Sequence, residues 1–274
     1  MKLEELTDEE IQDHCAEIYP HIQHLQSDTP VATIGFPAYN EADYLIPSLK
    51  KMAALKTHQA VKLIAANNAS TDRTKEILKA CGITVLDEER KGTSFARQAL
   101  VEAAEGDILI QTDADTQVPP TWIDAHLRHY NAPHVVGVSG KCYSDNYHPL
   151  WKVYRSVNWF AHQITDTIHR DTIPHVAGAN FSAKIESLRA TGGYQPDFNQ
   201  NEDALIAHRL KKTGKIVVDN SREISVNTDG RRFMSTEQIV SHFRQRLTGR
   251  DFWKTIFLGR GEADISAKDF EDFR

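Results

Sequence analysis

Val31-Ala32-Thr33-Ile34-Gly35-Phe36-Pro37-Ala38-Tyr39-Asn40-Glu41 is the stretch on which the fold turns. Residues 31–36 are rich in β-branched and aromatic side chains, and Pro37 closes the run. Asn40 reads as the cap of a helix with Leu45, Leu49 and Met52 at helical spacing. The alternation then repeats. Residues 61–65 predict a second apolar strand, and Ser70 reads as the cap of a helix through Ile77 and Leu78 that Gly82 ends. Residues 84–86 predict a short strand and residues 107–112 a longer one. Between them, residues 92–104 predict a helix with Phe95, Ala99, Leu100 and Ala103 on one side. Strands alternating with helices imply right-handed βαβ units and a Rossmann-like, mixed but mostly parallel α/β sheet flanked by helices. Ligands of such sheets bind beyond the carboxyl ends of the strands. The loops after Phe36, Ala66 and Thr112 are therefore expected side by side at one rim.

Upstream, Thr7 and Glu10 fit a capping box, and Ile11, Cys15, Ile18 and Ile22 recur at helical spacing, with Pro20 expected to kink or end the helix. Residues 1–29 read as a helical extension, residues 30–220 as the main domain, and residues 221–274 as a second helical extension packed on it. Within the main domain, residues 150–168 predict a helix bearing Trp151, Tyr154, Trp159 and Phe160. Residues 176–183 and 215–218 predict strands, with a helix over 202–212 between them.

The chain has 274 residues and a formal net charge of −6, which disfavours nucleic acid as a partner because phosphate backbones demand a basic face. Cys15, Cys81 and Cys142 are scattered and odd in number, as expected of a reducing compartment. The first ten residues are polar and acidic, without a leader pattern, and no run approaches the roughly 20 apolar residues of a membrane span. A cytoplasmic location is expected. The tail interleaves Arg231, Arg232, Arg244, Arg246 and Arg250 with Phe243, Phe252 and Trp253, which suits a helix packed on the core or a peripheral contact with an anionic membrane.

The chemistry concentrates in Ile108-Leu109-Ile110-Gln111-Thr112-Asp113-Ala114-Asp115. A buried strand delivers two acids, one residue apart, into a rim loop. Two like charges side by side are unfavourable unless a cation or ligand neutralises them. Mg²⁺ or Mn²⁺, bound through oxygen, does so and also binds diphosphate. A solvated acidic turn is the other reading.

The stretch 31–41 resembles the opening of family 2 glycosyltransferases of the GT-A fold, where an apolar strand runs into P-x-Y-N-E. Asn67-Asn68-Ala69-Ser70-Thr71-Asp72 is similar to their D-D-G-S-T-D. Arg90-Lys91-Gly92 with Ala96-Arg97 resembles their basic glycine turn, and Asp113-Ala114-Asp115 their D-x-D. Ala177-Gly178-Ala179-Asn180, Gly192-Gly193-Tyr194 and Glu202-Asp203 resemble their acceptor-side elements. The order of the motifs is preserved over about residues 31–218.

The resemblance implies transfer of a sugar from a nucleotide-diphosphate sugar to a sugar or lipid-linked acceptor. It puts Pro37, Tyr39, Glu41, Asn67, Lys91, Arg97, Asp113 and Ala114 on the donor, with Lys91 and Arg97 at its diphosphate, and Asp115 with Asp113 on the metal. Gly178, Asn180 and Glu202 fall on the acceptor side, with Asp203 as the general base of an inverting reaction. Glu41 serves equally as a first-turn acid. Asn67 departs from the family's base-reading aspartate and lacks its charge. No third metal ligand is evident: His208 and His242 read as surface histidines, as do His126 and His129. Neither a GxGxxG after the first strand nor a GxxxxGK[ST] occurs, which argues against a dehydrogenase or a P-loop enzyme. A sugar-nucleotide-binding protein of low activity and a retaining transferase remain the alternatives.

Overall fold

The structure is a computed structural model and describes residues 7–143, 176–195 and 202–229. Helices α1 (Asp8–Gln23), α2 (Ala42–Ala53), α3 (Thr74–Ala80), α4 (Thr93–Ala103), α5 (Trp122–Leu127), α6 (Ile185–Ala190) and α7 (Glu202–Lys211) surround two sheets. The main sheet contains β1 (Ala32–Ala38), β2 (Val61–Asn68), β3 (Thr84–Glu88), β4 (Ile108–Thr112), β6 (Val135–Gly140), β8 (Asn180–Lys184) and β9 (Lys215–Asp219). A small second sheet is made of β5 (Thr116–Gln117), β7 (Cys142–Tyr143) and β10 (Val226–Thr228).

The seven strands lie in the order β3-β2-β1-β4-β8-β6-β9, and the three in the order β5-β10-β7. Only β8 runs against the rest of the main sheet, antiparallel to both β4 and β6. The strands β1, β2, β3 and β4 are mutually parallel, so their carboxyl ends form one rim. Because β8 is reversed, its beginning reaches that rim, with Asn180 opposite Thr112.

Alternation along the strands divides the core. Ile34, Phe36, Leu63, Ala65, Ile108 and Ile110 pack with α1, α2, α3 and α5. Ile64, Ala66, Leu109, Phe181 and Ala183 pack with α4, α6 and α7. Three layers, helix on sheet on helix, result.

Four local readings change. α1 has the expected capping box but runs through Pro20 to Gln23. β1 continues through Pro37, which lies beyond Gly35, the last residue paired with β4; only the β2 side remains to lose a bond. Asn40 is not a helix cap: it has φ 51°, and Glu41 occupies the cap position of α2. Ser70 is not a cap either, since α3 begins after Arg73. The loops after β1 and β2 cap each other instead. Asn40 accepts the Thr71 N–H at 2.8 Å, and Ser70 Oγ accepts the Asn40 N–H at 3.1 Å. Thr74 Oγ1 accepts from Glu41 N–H at 2.8 Å, and Asp72 accepts from Ala42 N–H at 3.1 Å. Ala69 takes φ 53° where the family pattern has glycine, a strained conformation for a side chain with a Cβ.

Candidate active site

At the rim, Tyr39 is exposed and Lys91 lies with its Nζ 5.7 Å from the ring centroid. Pro37 is partly buried beside them, and Glu41 is buried at the start of α2. The turn bearing Lys91 is pinned by Asn68, whose Oδ1 accepts the Gly92 N–H at 2.8 Å and whose Nδ2 donates to the Arg90 carbonyl at 2.6 Å. Gly92, at φ 143°, is where the chain turns into α4.

Asn67, the last residue but one of β2, is buried. Its Nδ2 donates to Asp87 Oδ1 on β3 at 3.1 Å, and Lys75 donates to Asp87 Oδ2 at 2.7 Å. The hydrogen bond from Lys75, then that from Asn67, holds the Asp87 carboxyl below the usual carboxylate range. An ionised carboxylate only accepts, so the amide must turn its NH₂ toward Asp87. Asn67 Oδ1 is then buried with no donor among the described residues.

Arg97 projects from the buried stripe of α4, which comprises Ser94, Ala96, Arg97, Leu100 and Val101. The stripe is rotated from the expected one: Phe95 and Ala99 are only partly buried, and Phe95 instead carries the Arg90 guanidinium 4.5 Å above its ring. The Arg97 side chain is 3 % exposed. Its Nη2 donates to Asp113 Oδ1 at 2.8 Å, and its Nη1 to the Gly178 carbonyl at 3.1 Å and Gln111 Oε1 at 3.4 Å. Burial alone would lower its pKa, but Asp113, then Asp203, Tyr194 and Glu202, outweigh it and hold the guanidinium above its ordinary range. Gln111 Nε2 in turn donates to the buried Tyr194 hydroxyl at 2.9 Å.

The acids of Asp113-Ala114-Asp115 sit in a turn closed by a bond from Thr116 N–H to the Asp113 carbonyl at 3.1 Å. The two side chains take different partners. Asp113 meets Arg97, Ala114 is buried, and Asp115 accepts from Thr228 Oγ1 of β10 at 3.3 Å. Among the described residues no group of three His, Cys, Asp or Glu side chains is placed to hold a cation.

Asp203 lies in the first turn of α7. Its Oδ2 accepts the Gly178 N–H at 2.8 Å. A Cβ on Gly178 would lie 2.5 Å from Asp203 Oδ1 and 2.6 Å from Arg97 Nη2, so glycine is required for this approach. Burial, then the neighbouring Asp203 charge, raises the Glu202 carboxyl to about 7. Asp113 and Asp203 therefore meet around the Arg97 guanidinium at the rim.

Residues 33–192, more than half of the chain, match glycosyl transferase family 2. The chain is a family 2 glycosyltransferase. It is 24% identical over 240 residues to the succinoglycan biosynthesis protein ExoA of Rhizobium meliloti, covering 84% of this chain and 68% of the relative. It is 23% identical over 209 residues to the glucosyl-dolichyl phosphate glucuronosyltransferase of Haloferax volcanii, covering 72% and 64%. The chain thus spans about two thirds of these relatives' lengths. Among solved structures, it is similar to the mannosyltransferase PcManGT from Pyrobaculum calidifontis in complex with GDP-Man and Mn²⁺. The TM-score is 0.59 at 17% identity, over 87% of this chain and 76% of that one. The glucosyl-3-phosphoglycerate synthase of Mycobacterium tuberculosis in complex with Mn²⁺ and UDP-glucose gives a TM-score of 0.55 at 17% identity, over 88% and 82%. The likeness confirms the GT-A fold.

In this family 2 glycosyltransferase two expected positions take another place. Arg97 is buried against protein acceptors instead of lying open to a diphosphate. Asn180 is fully buried and does not line an open acceptor surface. Its Oδ1 accepts from Trp122 Nε1 at 2.9 Å and faces His126 Nε2 at 3.0 Å. Its Nδ2 donates to the Ile224 carbonyl at 2.9 Å and the Lys141 carbonyl at 3.1 Å. It ties α5 and the approach to β10 onto β8. His126, read as a surface histidine, is buried in this network, and burial pushes its pKa down to about 3. His129 is half-buried against Asp219 at 2.9 Å, and His208 is half-buried on α7. Sequence reading missed Asp87, Gln111 and Thr228, which are polar residues on strands without a motif of their own. The aromatic helix over 150–168, His242 and the basic tail lie outside the described residues.

Proposed function

We propose that this enzyme transfers a glycosyl group from a nucleotide-diphosphate sugar to an acceptor hydroxyl with inversion, Asp203 acting as general base. The observation that carries this reading is the placement of Asp113 and Asp203 about the single Arg97 guanidinium, where donor side and base meet. Asp203 takes the acceptor's hydroxyl proton as that oxygen attacks the anomeric carbon. The bond from that carbon to the diphosphate oxygen breaks, and its electron pair leaves with the nucleotide diphosphate. Tyr39, Glu41 and Asn67 hold the nucleoside end of the donor, with Pro37 at the same rim, and Lys91 meets its diphosphate. Gly178 and Glu202 border the acceptor.

Asp115 and Asp113 offer only oxygen, which fits Mn²⁺ or Mg²⁺. One or two carboxylates suffice for such ions when substrate phosphates complete the shell. A cation bound there stabilises the charge of the departing diphosphate. The Mn²⁺ and sugar nucleotides named with the similar structures support this reading.

A lipid-linked saccharide is the acceptor class we favour, because one relative is named for acting on glucosyl-dolichyl phosphate. The interleaved basic and aromatic residues of the tail would then hold the enzyme at the cytoplasmic membrane surface. No helix of the described residues is long and apolar enough to cross a membrane.

The test is transfer from UDP- and GDP-sugars by wild type and Asp203→Asn, with the product anomer read by proton NMR. We expect an inverted product and a fall of about 10²–10⁴-fold in the variant. A product that keeps the donor's configuration removes Asp203 as base. Nucleotide binding without turnover of any donor identifies a binding protein.

A further inference from the structure

We propose that Arg97 is a positioning residue that aligns the base Asp203 with the donor-side Asp113 through the Gly178 peptide, and that it does not contact the diphosphate. The proposal rests on the reading of Asp203 as base.

Three connected bonds make the case. Arg97 Nη2 holds Asp113 at 2.8 Å, Arg97 Nη1 holds the Gly178 carbonyl at 3.1 Å, and the Gly178 N–H holds Asp203 at 2.8 Å. One glycine thus presents its carbonyl to the cation and its N–H to the base. The guanidinium is enclosed by the packed face of α4 and by Gln111, itself braced on Tyr194. A Cβ on Gly178 would clash with both Arg97 and Asp203, and the Arg97 side chain is almost wholly enclosed, which leaves little of it open to a phosphate. The rigid guanidinium fork can serve two acceptors at once, which a lysine ammonium on a flexible stem does poorly. Asp113 is anchored to β4 and Asp203 to α7, elements on opposite sides of the reversed strand β8. Their relative placement therefore depends on what joins them.

The two variants are Gly178→Ala, which keeps both charges but forces them apart, and Arg97→Lys, which keeps the charge but not the fork. Each is assayed for kcat and donor KM, and for the Kd of UDP and GDP with Mn²⁺. We expect kcat to fall about 10²-fold in Gly178→Ala, the scale of an ångström's misplacement. Arg97→Lys should fall in the same direction, and Kd should stay within about threefold of wild type in both. If Gly178→Ala does not fold, Arg97→Lys decides alone. A Kd weakened about tenfold or more with kcat preserved makes Arg97 a diphosphate ligand and overturns the proposal, as does unchanged kcat. Should Asp203→Asn turn over normally, the base assignment fails instead, so the two failures are distinguishable.

Discussion

Asn67 and Asp87 show how a single residue's partner reverses an expectation. From the sequence alone, restoring the family's aspartate at position 67 would be expected to strengthen donor binding. The structure opposes that, because Asp87 Oδ1 already lies 3.1 Å from the Asn67 amide. Asn67→Asp sets two carboxylates face to face, and one must take up a proton or move away. We expect this variant to bind UDP and GDP about tenfold more weakly than wild type and to melt earlier. The double variant Asn67→Asp/Asp87→Asn exchanges the two groups and should return to within about threefold of wild type. Nucleotide titration with thermal unfolding checks both; tighter binding by the single variant would contradict the account. The departure at Asn67 was plain in the sequence. Its partner was not, since Asp87 is brought alongside only by the register of β2 on β3. Arg97 is a parallel case. It is buried on α4 among small and apolar residues, but nothing in the linear order points to Gly178 as its acceptor.

At the scale of elements, the polar network under β8 is built from α5 and β8 side chains that the chain separates by more than fifty residues. Trp122 and His126 lie one turn apart and both reach Asn180, while His126 Nδ1 lies 2.9 Å from Ser182 Oγ. The spacing of His126 and His129 gave no sign of which is buried: His126 lies on α5 and His129 in the 3-10 turn that follows, and α5 is too short for a periodic pattern to fix its orientation. The network has a pH signature. Burial, the largest influence, lowers the His126 pKa to about 3, against 6.5 ordinarily. The unfolded chain then binds the extra proton, so the stability tied to neutral His126 is complete above about pH 6.5 and is lost as pH falls toward about 3. Between pH 7 and pH 5 the loss should approach about 2 kcal/mol. Urea unfolding of wild type and His126→Gln at the two pH values isolates it. Wild type should be the more stable at pH 7, with the gap narrowing at pH 5. A gap independent of pH would contradict the assignment.

Across the whole molecule, the parallel half was readable because each strand announces itself by apolar residues and each helix by its period. The rim loops after β1, β2 and β4 follow from that topology. The reversal of β8 was not readable, since a short apolar strand carries no sign of its direction. That reversal nonetheless organises the site. It brings Gly178 near Asp113 through Arg97, and so joins the rim after β4 to the acid of a distant helix. The small sheet adds a second tie, Thr228 of β10 on Asp115. The central claim is that Asp115 serves the donor through a cation while Asp203 serves only the chemical step. Calorimetric titration of UDP and GDP into wild type, Asp115→Ala and Asp203→Asn, with and without Mn²⁺, tests this most directly. The account predicts Mn²⁺-dependent binding in wild type, a loss of about tenfold or more in Asp115→Ala, and retention within about threefold in Asp203→Asn. Binding by wild type that ignores Mn²⁺, or by Asp115→Ala at full strength, would contradict it.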